Sequence, residues 1–281
     1  MRYKAYAKIN LSLKVVKKRE DGYHDLDMLM INVNLYDTLV FRKSNEVLVT
    51  MNKDLCNMED NLVYKTIIKI KRKYNIDKGI EVYIKKGIPS MSGLGGGSSD
   101  AALTICVLNR MWALNLELEE LNALALEIGS DVPFFLYNCF SRVMGRGEKV
   151  LKLSKKYDKK IILAFPNLPI STKKVFEAHE IKNSDKDIVE VYNSIFKEKK
   201  LFFNDLEDTV YSLYPEYVLK EMKRDLESKF ECCVTMSGSG SSFFVVSEKQ
   251  INKIYRYIRK SYPDLKIAIN KTISYCKRKM N

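Results

Sequence analysis

One glycine-rich stretch constrains the fold of this chain more than any other feature. Residues 89–102 read PSMSGLGGGSSDAA and lie between an alternating apolar segment, 79–85, and a helical pattern over 101–112. Consecutive glycines permit positive φ and a close approach of the backbone to a ligand. The amides and dipole of a helix N-terminus favour an anion. The sequence therefore predicts a strand, a phosphate-binding loop and a helix, in that order.

Two other phosphate-binding loops do not fit this stretch. No Gly-Lys-Ser/Thr follows the glycines, as a Walker A loop requires, and GLGGG lacks the spacing of the dinucleotide fingerprint. A flexible surface loop is the alternative. The pair Ser98-Ser99 at the start of an alanine-rich helix favours the phosphate loop.

Polar and apolar residues alternate over residues 3–15, which predicts a strand with one buried face. Lys8 and Asn10 then point to the same side, opposite to Ile9 and Leu11. A solvated position on an edge strand is the alternative role for Lys8.

Strands and helices alternate along the rest of the chain, which predicts an α/β or α+β fold. Further strands are predicted at 28–35, 38–41, 47–51, 79–85, 161–165, 232–235, 243–246 and 265–269. Helices are predicted at 61–74, 101–112, 118–128, 183–196, 216–229 and 251–261. The lysine-rich segment 152–160 suggests a boundary between two domains, 1–155 and 156–281.

Composition excludes several classes of protein. With 281 residues, 46% of them hydrophobic, the chain can bury a substantial core, which excludes wholesale disorder. The apolar runs are too short for a membrane span, and we expect no signal peptide. Six scattered cysteines without metal-type spacing predict reduced thiols in a cytoplasmic protein.

The net charge of +13 suits either a nucleic acid or a polyanionic small substrate. Residues 251–281 carry nine Lys/Arg and one Asp. A solvated basic face is the usual role of such a run, and RNA binding is the alternative. Because the chain has no zinc-finger or RNP pattern, we do not expect a nucleic-acid partner.

Three further segments contain residue types that carry chemistry. Asp131, two residues before Pro133, reads as a helix cap, although a helix start can also orient a catalytic carboxylate. A lone turn histidine such as His24 is usually on the surface, but Tyr23 beside it suits a base or sugar ligand. The turn at 238–242, GSGSS, is either an ordinary hairpin loop or a second set of amides for phosphates.

Together these segments resemble the GHMP kinase superfamily, from Ala7 to Phe243. The loop at 89–102 and the turn at 238–241 carry that resemblance. Within the superfamily, members that act on a cytidine diphosphate substrate are the most similar, through AKINL at 7–11, DGYH at 21–24, GLGGGSS at 93–99 and GSDVPFF at 129–135. Ser130 and Met30 depart from the pattern, and an aromatic residue near the cytidine is expected at position 30.

The resemblance implies a two-domain α/β fold (α+β, two-layer) with the active site between the domains. It implies ATP-dependent phosphorylation of the 2-hydroxyl of 4-diphosphocytidyl-2-C-methyl-D-erythritol, in the non-mevalonate isoprenoid pathway. Asp131 would take the hydroxyl proton, and Lys8 would orient Asp131 and offset charge on the γ-phosphate. Asn10 would lie near the acceptor, and the cytosine would be held by Tyr23, His24 and Phe176.

The cofactors implied by the resemblance are ATP and Mg²⁺. The ATP phosphates would be held by Pro89, Ser90, Met91, Ser92, Gly93, Leu94, Gly95, Gly96, Gly97, Ser98 and Ser99. Because this loop has no lysine, Lys8 and the metal must supply positive charge. Phosphate oxygens would hold Mg²⁺, with Ser99 as a candidate protein ligand.

Two other functions remain as alternatives beside RNA binding. One is another GHMP kinase of the homoserine or mevalonate type, against which the pair Tyr23-His24 argues. The other is a catalytically dead sensor, against which the presence of both Lys8 and Asp131 argues. The sequence leaves the oligomeric state open.

Overall fold

The structure is a computed structural model that describes residues 1–53, 55–181, 185–195 and 201–275. Its strands are β1 (Arg2–Lys18), β2 (His24–Ser44), β3 (Val47–Met51), β4 (Gly79–Lys85), β5 (Ser141–Gly145), β6 (Lys149–Lys152), β7 (Lys160–Phe165), β8 (Cys233–Met236), β9 (Phe243–Val246) and β10 (Lys266–Ile273). Its helices are α1 (Leu62–Tyr74), α2 (Gly96–Met111), α3 (Leu118–Ile128), α4 (Val132–Tyr137), α5 (Thr172–Ala178), α6 (Ile188–Ser194), α7 (Glu207–Leu213), α8 (Leu219–Lys229) and α9 (Ile251–Ser261).

The chain divides into two compact units, each built from separate segments. Unit 1 consists of Met1–Ala7, Leu35–Ser90 and Gly95–Asn138. Unit 2 consists of Lys8–Asn34, Met91–Leu94 and the described part of Cys139–Asn281. β1 and β2 each contribute residues to both units. The predicted boundary near residue 155 divides the chain once, into an N-terminal and a C-terminal part, whereas these units combine separate segments. That boundary stays a prediction.

In unit 1, the second half of β2 pairs antiparallel with β4, from Thr38 opposite Lys85 to Ser44 opposite Gly79. β3 pairs parallel with β4. The predicted strands at 47–51 and 79–85 are confirmed. The two predicted strands at 28–35 and 38–41 are one continuous strand, β2. The polar residue at the expected break, Asp37, is fully buried and hydrogen-bonded within unit 1, so it marks no turn.

The helices of unit 1 begin where local capping signals place them. The Asn61 side chain accepts from Val63 N at the start of α1. Glu117 and Glu120 form a capping box at the start of α3. α2 begins at Gly96, five residues before the predicted start, because the glycines and serines form its first turn. It packs against α1, α3 and α4.

Unit 2 is a layered α/β structure. Its strands pair in the order β2, β10, β7, β9, β8, and β5 pairs with β2 and β6. The apolar stripe Ile251, Ile254 and Ile258 is the buried face of α9, which packs on β7 and β10. The predicted strand at 243–246 and the predicted helix at 251–261 are confirmed.

Several boundaries in unit 2 differ from the predicted ones. The predicted helix 216–229 begins at Leu219. The predicted helix 183–196 begins only at Ile188, where the Asp187 side chain caps it by accepting from Val189 N; residues 183, 184 and 196 lie outside the described residues. β5, β6, α5 and α7 were not predicted, because each has only four to seven residues and no clear period.

Two remaining sequence expectations concern membranes and cysteines. In the part of the chain that the structure describes, no helix combines the length and apolar character that crossing a membrane requires. Cys56, Cys106, Cys139, Cys232 and Cys233 are free thiols, and Cys276 lies outside the described residues.

Candidate active site

Two glycine-serine turns of unit 2 pack directly on each other. Gly93 has φ +73°, and a Cβ atom there would lie 2.1 Å from the carbonyl oxygen of Ser237. Ser237 Oγ donates to Gly93 O at 3.0 Å, and Ser242 N donates to Ser92 O at 3.1 Å. Only glycine fits position 93, because both its φ and its clearance exclude a side chain.

Lys8 lies beside the second of these turns. A Cβ atom on Gly238 would be 3.3 Å from Lys8 Nζ and 3.3 Å from Gly93 O. Asn204 Nδ2 fixes the turn by donating to Gly238 O at 2.7 Å and to Met236 O at 2.9 Å. An ammonium group therefore lies next to a turn rich in backbone amides, an arrangement that favours an anion.

Residues 8–13 of β1 are buried on both faces, so the predicted one-sided strand is wrong for this part. Lys8 is 2% exposed and Asn10 is 1% exposed. Lys8 Nζ donates to Asn10 Oδ1 at 2.7 Å, and Asn10 Nδ2 contacts Met28 Sδ at 3.2 Å. The predicted shared direction of Lys8 and Asn10 is confirmed, and a solvated role for Lys8 is wrong. The polar face is covered by residues 91–94, 203–205 and 237, which no local pattern in β1 reveals.

His24, Tyr23 and Phe176 come together in unit 2. His24 opens β2 and is 7% exposed, so the expectation of a surface turn histidine is wrong. Its ring centroid lies 5.3 Å from that of Phe176 on α5. Tyr23 is 48% exposed. Burial, together with the charge of Lys18, holds the pKa of His24 below its usual range, so the ring is neutral near pH 7.

Arg146 joins this aromatic group and was missed by sequence reasoning. Its guanidinium carbon lies 4.0 Å from the centroid of the Tyr23 ring, within the range of a cation–π contact. It sits in the turn between β5 and β6, flanked by Gly145 at φ +73° and Gly147 at φ +127°. An arginine between two glycines could have indicated an exposed turn. It could not have indicated that this turn lies against Tyr23.

The glycine-rich loop ends in unit 1 at the start of α2. Gly95 is the N-cap residue, with φ +69°, and it has no side chain to occupy the helix end. The first amides of a helix have no partner within the helix and point outward from its end. Ser99 N bonds to Gly95 O at 2.9 Å, and the Ser99 side chain is 1% exposed.

The predicted loop residues differ in their surroundings. Met91 is 66% exposed and Ser90 is exposed, whereas the Leu94 side chain is fully buried. Leu94 O accepts from Lys8 N at 2.9 Å. Leu94 is therefore a core residue of unit 2, and its carbonyl oxygen is used within the protein. Met30, expected near the cytidine, is also fully buried, in β2 opposite Ser141.

Asp131 occupies the N-cap position of α4, as predicted. Its backbone is in the αR region, and its side chain makes no capping hydrogen bond to this helix. One cause is Pro133 at the second helical position, which has no N–H to donate. The interpretation of the Asp131 carboxylate as a helix cap is therefore wrong. The helix start fixes the position of Asp131, which is half-buried.

A buried ionic cluster in unit 1 was also missed by sequence reasoning. Lys86 Nζ donates to Asp37 Oδ2 and, at 2.9 Å, to Asp100 Oδ2. Burial raises the pKa of Asp100 to about 8. The alternation of side chains along β4 could have indicated that Lys86 is buried. Ile80, Val82 and Ile84 are buried at every second position, and Lys86 is the next position on the same face.

Comparisons with known proteins agree with this geometry. The family of GHMP kinases, N terminal domain, matches residues 61–139. A 4-diphosphocytidyl-2-C-methyl-D-erythritol kinase of Thermodesulfovibrio yellowstonii is 40% identical over 254 residues, which are 86% of this chain and 87% of that protein. The chain belongs to the 4-diphosphocytidyl-2-C-methyl-D-erythritol kinase family.

The fold of this kinase is similar to the folds of solved GHMP kinase structures. A crystal structure of 4-(cytidine 5'-diphospho)-2C-methyl-D-erythritol kinase is 29% identical, covers 97% of this chain and 99% of its own, and has a TM-score of 0.80. A mevalonate kinase of Methanococcus jannaschii is 16% identical, with coverages of 97% and 98% and a TM-score of 0.69. The second likeness concerns the fold alone. The predicted GHMP kinase fold is confirmed.

Proposed function

We propose that this kinase transfers the γ-phosphate of ATP to the 2-hydroxyl of 4-diphosphocytidyl-2-C-methyl-D-erythritol, a step in the non-mevalonate route to isoprenoid precursors. The observation that carries the proposal is the buried His24 ring packed on Phe176 beside the exposed Tyr23. A neutral imidazole has one donor and one acceptor, which suits the edge of an uncharged base. Tyr23 and Phe176 offer the flat apolar surfaces on which such a base can stack.

The neutral state of His24 suits the polar edge of cytosine. Cytosine offers an exocyclic amino donor and a neighbouring ring acceptor. A charged imidazolium would have only donors, so the lowered pKa of His24 leaves one ring nitrogen able to accept from the amino group. Arg146 stabilises the Tyr23 ring from one face through its guanidinium group.

Lys8 supplies positive charge to the γ-phosphate in this proposal. Phosphoryl transfer depends mainly on positioning and on stabilisation of charge that spreads over the transferred group. A buried ammonium acts more strongly than one in water, because the local dielectric is lower. The burial of Lys8 beside the turn at Gly238 supports this role. That Lys8 also orients Asp131, and that Asn10 lies near the acceptor hydroxyl, stay predictions.

Asp131 is the proposed general base. A carboxylate at a fixed helix start can accept the proton of the acceptor hydroxyl as the new O–P bond forms. The Asp131 side chain makes no capping bond to α4, so this role does not compete with helix formation.

The glycine-rich loop would hold the ATP phosphates through backbone amides. Gly95 at the N-cap, and Gly96 and Gly97 as the first two residues of α2, have no side chain beyond a hydrogen. Among residues 1–53, 55–181, 185–195 and 201–275, no group of three or more His, Cys, Asp or Glu is arranged to hold a metal ion. Phosphate oxygens are ligands that Mg²⁺ prefers. Ser99, the predicted protein ligand, is 1% exposed, so its hydroxyl does not face the surface where an ion would bind. When bound, Mg²⁺ neutralises charge on the phosphates.

A coupled assay of ADP release tests the proposal against the other GHMP kinases. We expect turnover with 4-diphosphocytidyl-2-C-methyl-D-erythritol, and none above background with mevalonate or homoserine. The uridine analogue of the substrate should be used poorly, because uracil reverses the donor and acceptor that His24 faces. Turnover with mevalonate or homoserine and not with the cytidine substrate would contradict the proposal.

A further inference from the structure

Three titratable side chains of unit 1 meet where the glycine-rich loop begins and ends. Asp37 lies on β2, Lys86 directly follows β4, and Asp100 lies in α2. Lys86 Nζ donates to one carboxylate oxygen of each aspartate. The side chains of Asp37, Lys86 and Asp100 are 0%, 8% and 3% exposed. We call these three residues the loop clamp.

Asp37 fixes the entry of the loop. Its Oδ1 atom accepts from Gly87 N at 2.6 Å and from Ile88 N at 2.8 Å, immediately before Pro89. Hydrogen bonds to an ionised carboxylate are stronger than those between neutral groups. The backbone that leads into the loop is therefore held by a buried charge.

The exit of the loop is held by the same cluster. Lys86 bonds to Asp100 in α2 at 2.9 Å. At the start of that helix, a Cβ atom on Gly96 would lie 3.1 Å from Ile88 Cγ2 and 3.5 Å from Asp37 Oδ2. The first turn of α2 thus packs directly on the residues that enter the loop.

Stability alone gives a poor account of the loop clamp. Buried ion pairs are seldom more stabilising than well-packed apolar side chains of the same volume. Two carboxyl groups share one ammonium group here, and Asp100 Oδ1 is buried with no hydrogen-bond partner among the described residues. An unsatisfied buried oxygen costs free energy. The contacts of this cluster instead hold the backbone at residues 87 and 88 and the start of α2 in one arrangement.

We propose that Asp37, Lys86 and Asp100 are positioning residues for ATP, which tie the two ends of the glycine-rich loop together so that the first amides of α2 meet the phosphates. The inference rests on the proposed function, because it takes ATP as the ligand of this loop. A displacement of about 1 Å at a reacting group can cost roughly 100-fold in rate. Loss of the loop clamp should therefore affect ATP far more than the cytidine substrate.

Two variants at one position separate positioning from packing. Asp100→Asn keeps an oxygen that can accept from Lys86, whereas Asp100→Leu removes it but keeps the same branched arrangement of four side-chain heavy atoms. We expect Asp100→Leu to weaken binding of a non-hydrolysable ATP analogue at least about tenfold by calorimetry, while the KM for the cytidine substrate changes less than about twofold. Asp100→Asn should restore the affinity for the analogue to within about threefold of the wild type.

A matched control measures the effect of lost stability. Ile70→Ala removes a fully buried side chain of α1 outside the loop clamp, so it should lower Tm without weakening the ATP analogue. An equal loss of affinity in Ile70→Ala and Asp100→Leu would overturn the proposal. If Asp100→Leu does not fold, Lys86→Gln replaces it, because a glutamine cannot reach both carboxylates.

The outcomes distinguish this inference from the proposed function. A wild-type protein that binds the ATP analogue, with Asp100→Leu or Lys86→Gln binding it equally well, overturns the loop clamp alone. A wild-type protein that does not bind the analogue overturns the assignment of the loop to ATP, and the loop clamp with it.

Discussion

Lys8 Nζ donates a hydrogen bond to Asn10 Oδ1 at 2.7 Å, with both side chains almost fully buried. Residues two apart on a strand lie on the same face, so β1 itself brings this pair together. A buried ammonium is costly unless it is well paired. The hydrogen bond to Asn10 fixes the position of the Lys8 ammonium group inside unit 2, beside the turn at Gly238.

Replacing Lys8 with methionine should lower kcat while the fold is retained. The methionine side chain has a similar volume and needs no polar partner, so Tm should change little or rise. Loss of a charge that stabilises the transferred phosphoryl group should reduce kcat roughly 100-fold. Steady-state kinetics with both substrates and a thermal melt measure the two effects. A normal kcat in Lys8→Met would remove Lys8 from the chemistry.

Asp131→Asn should separate catalysis from structure. The Asp131 side chain does not cap α4, so the amide should leave Tm within a few degrees of the wild type. An amide cannot accept the proton, and general bases contribute about 10²–10⁴ in rate, so kcat should fall at least roughly 100-fold with both KM values little changed. Near-normal turnover in a folded Asp131→Asn protein would refute the role of general base.

The double variant Lys8→Met/Asp131→Asn tests whether the two residues act in one step. Groups that stabilise the same transition state are strongly non-additive. We expect the double variant to be hardly slower than the slower single variant. A fully multiplicative loss of kcat would mean that Lys8 and Asp131 act independently.

Gly97→Ala should weaken ATP binding without loss of stability. A Cβ atom on Gly97 would meet nothing closer than Leu62 Cδ2 at 3.9 Å, and alanine is the better helix former by about 1 kcal/mol. The added methyl group would hinder the approach of phosphate to the first turn of α2. Calorimetry with an ATP analogue and a thermal melt give the two readouts.

Gly93→Ala is the matched comparison for Gly97→Ala. Its Cβ atom would lie 2.1 Å from Ser237 O at φ +73°, so this variant should lower Tm. If Gly97→Ala bound the ATP analogue as tightly as the wild type, the first turn of α2 would not be the phosphate site.

His24→Gln should raise the KM for the cytidine substrate and leave that for ATP unchanged. An unpaired hydrogen-bonding group costs about 1–3 kcal/mol, so an increase of roughly 10- to 100-fold is expected. Discrimination against the uracil analogue should fall by a similar factor. Unchanged discrimination in this variant would make the pair of rings structural.

The pH dependence of stability gives an independent test of His24. Its pKa is lowered in the folded state by burial, so below about pH 6.5 the unfolded chain binds the proton more readily. Stability contributed by the neutral ring is present above that pH and is lost as pH falls through the folded pKa. Urea midpoints should therefore fall more steeply with acid in the wild type than in His24→Gln. Parallel curves would contradict a buried neutral His24.

Local patterns anticipated much of the fold and of the site. Period two placed Lys8 beside Asn10, and the glycine run with two serines marked the start of α2. The expectation that the consecutive glycines adopt positive φ was only partly correct, because Gly95 alone of the three has positive φ. At Gly96 the constraint is instead close packing, because a Cβ atom there would lie 3.1 Å from Ile88 Cγ2.

Contacts between distant parts of the chain could not be predicted. Arg146 lies 123 residues after Tyr23 in the sequence, and no spacing rule joins a hairpin arginine to a tyrosine in another turn. Lys8 is covered by residues near 94 and 238, which meet β1 only in the folded chain. These long-range contacts determine the electrostatics of the site.

The burial of His24 against Phe176 has a consequence for the design of inhibitors. A flat, uncharged heterocycle with an amino group next to a ring nitrogen would match the neutral imidazole and stack on the tyrosine. A cationic heterocycle would meet the charges of Lys18 and Arg146 and would lose hydration in entering. The selectivity of a base-mimicking compound for this enzyme should therefore decrease as the basicity of its ring increases.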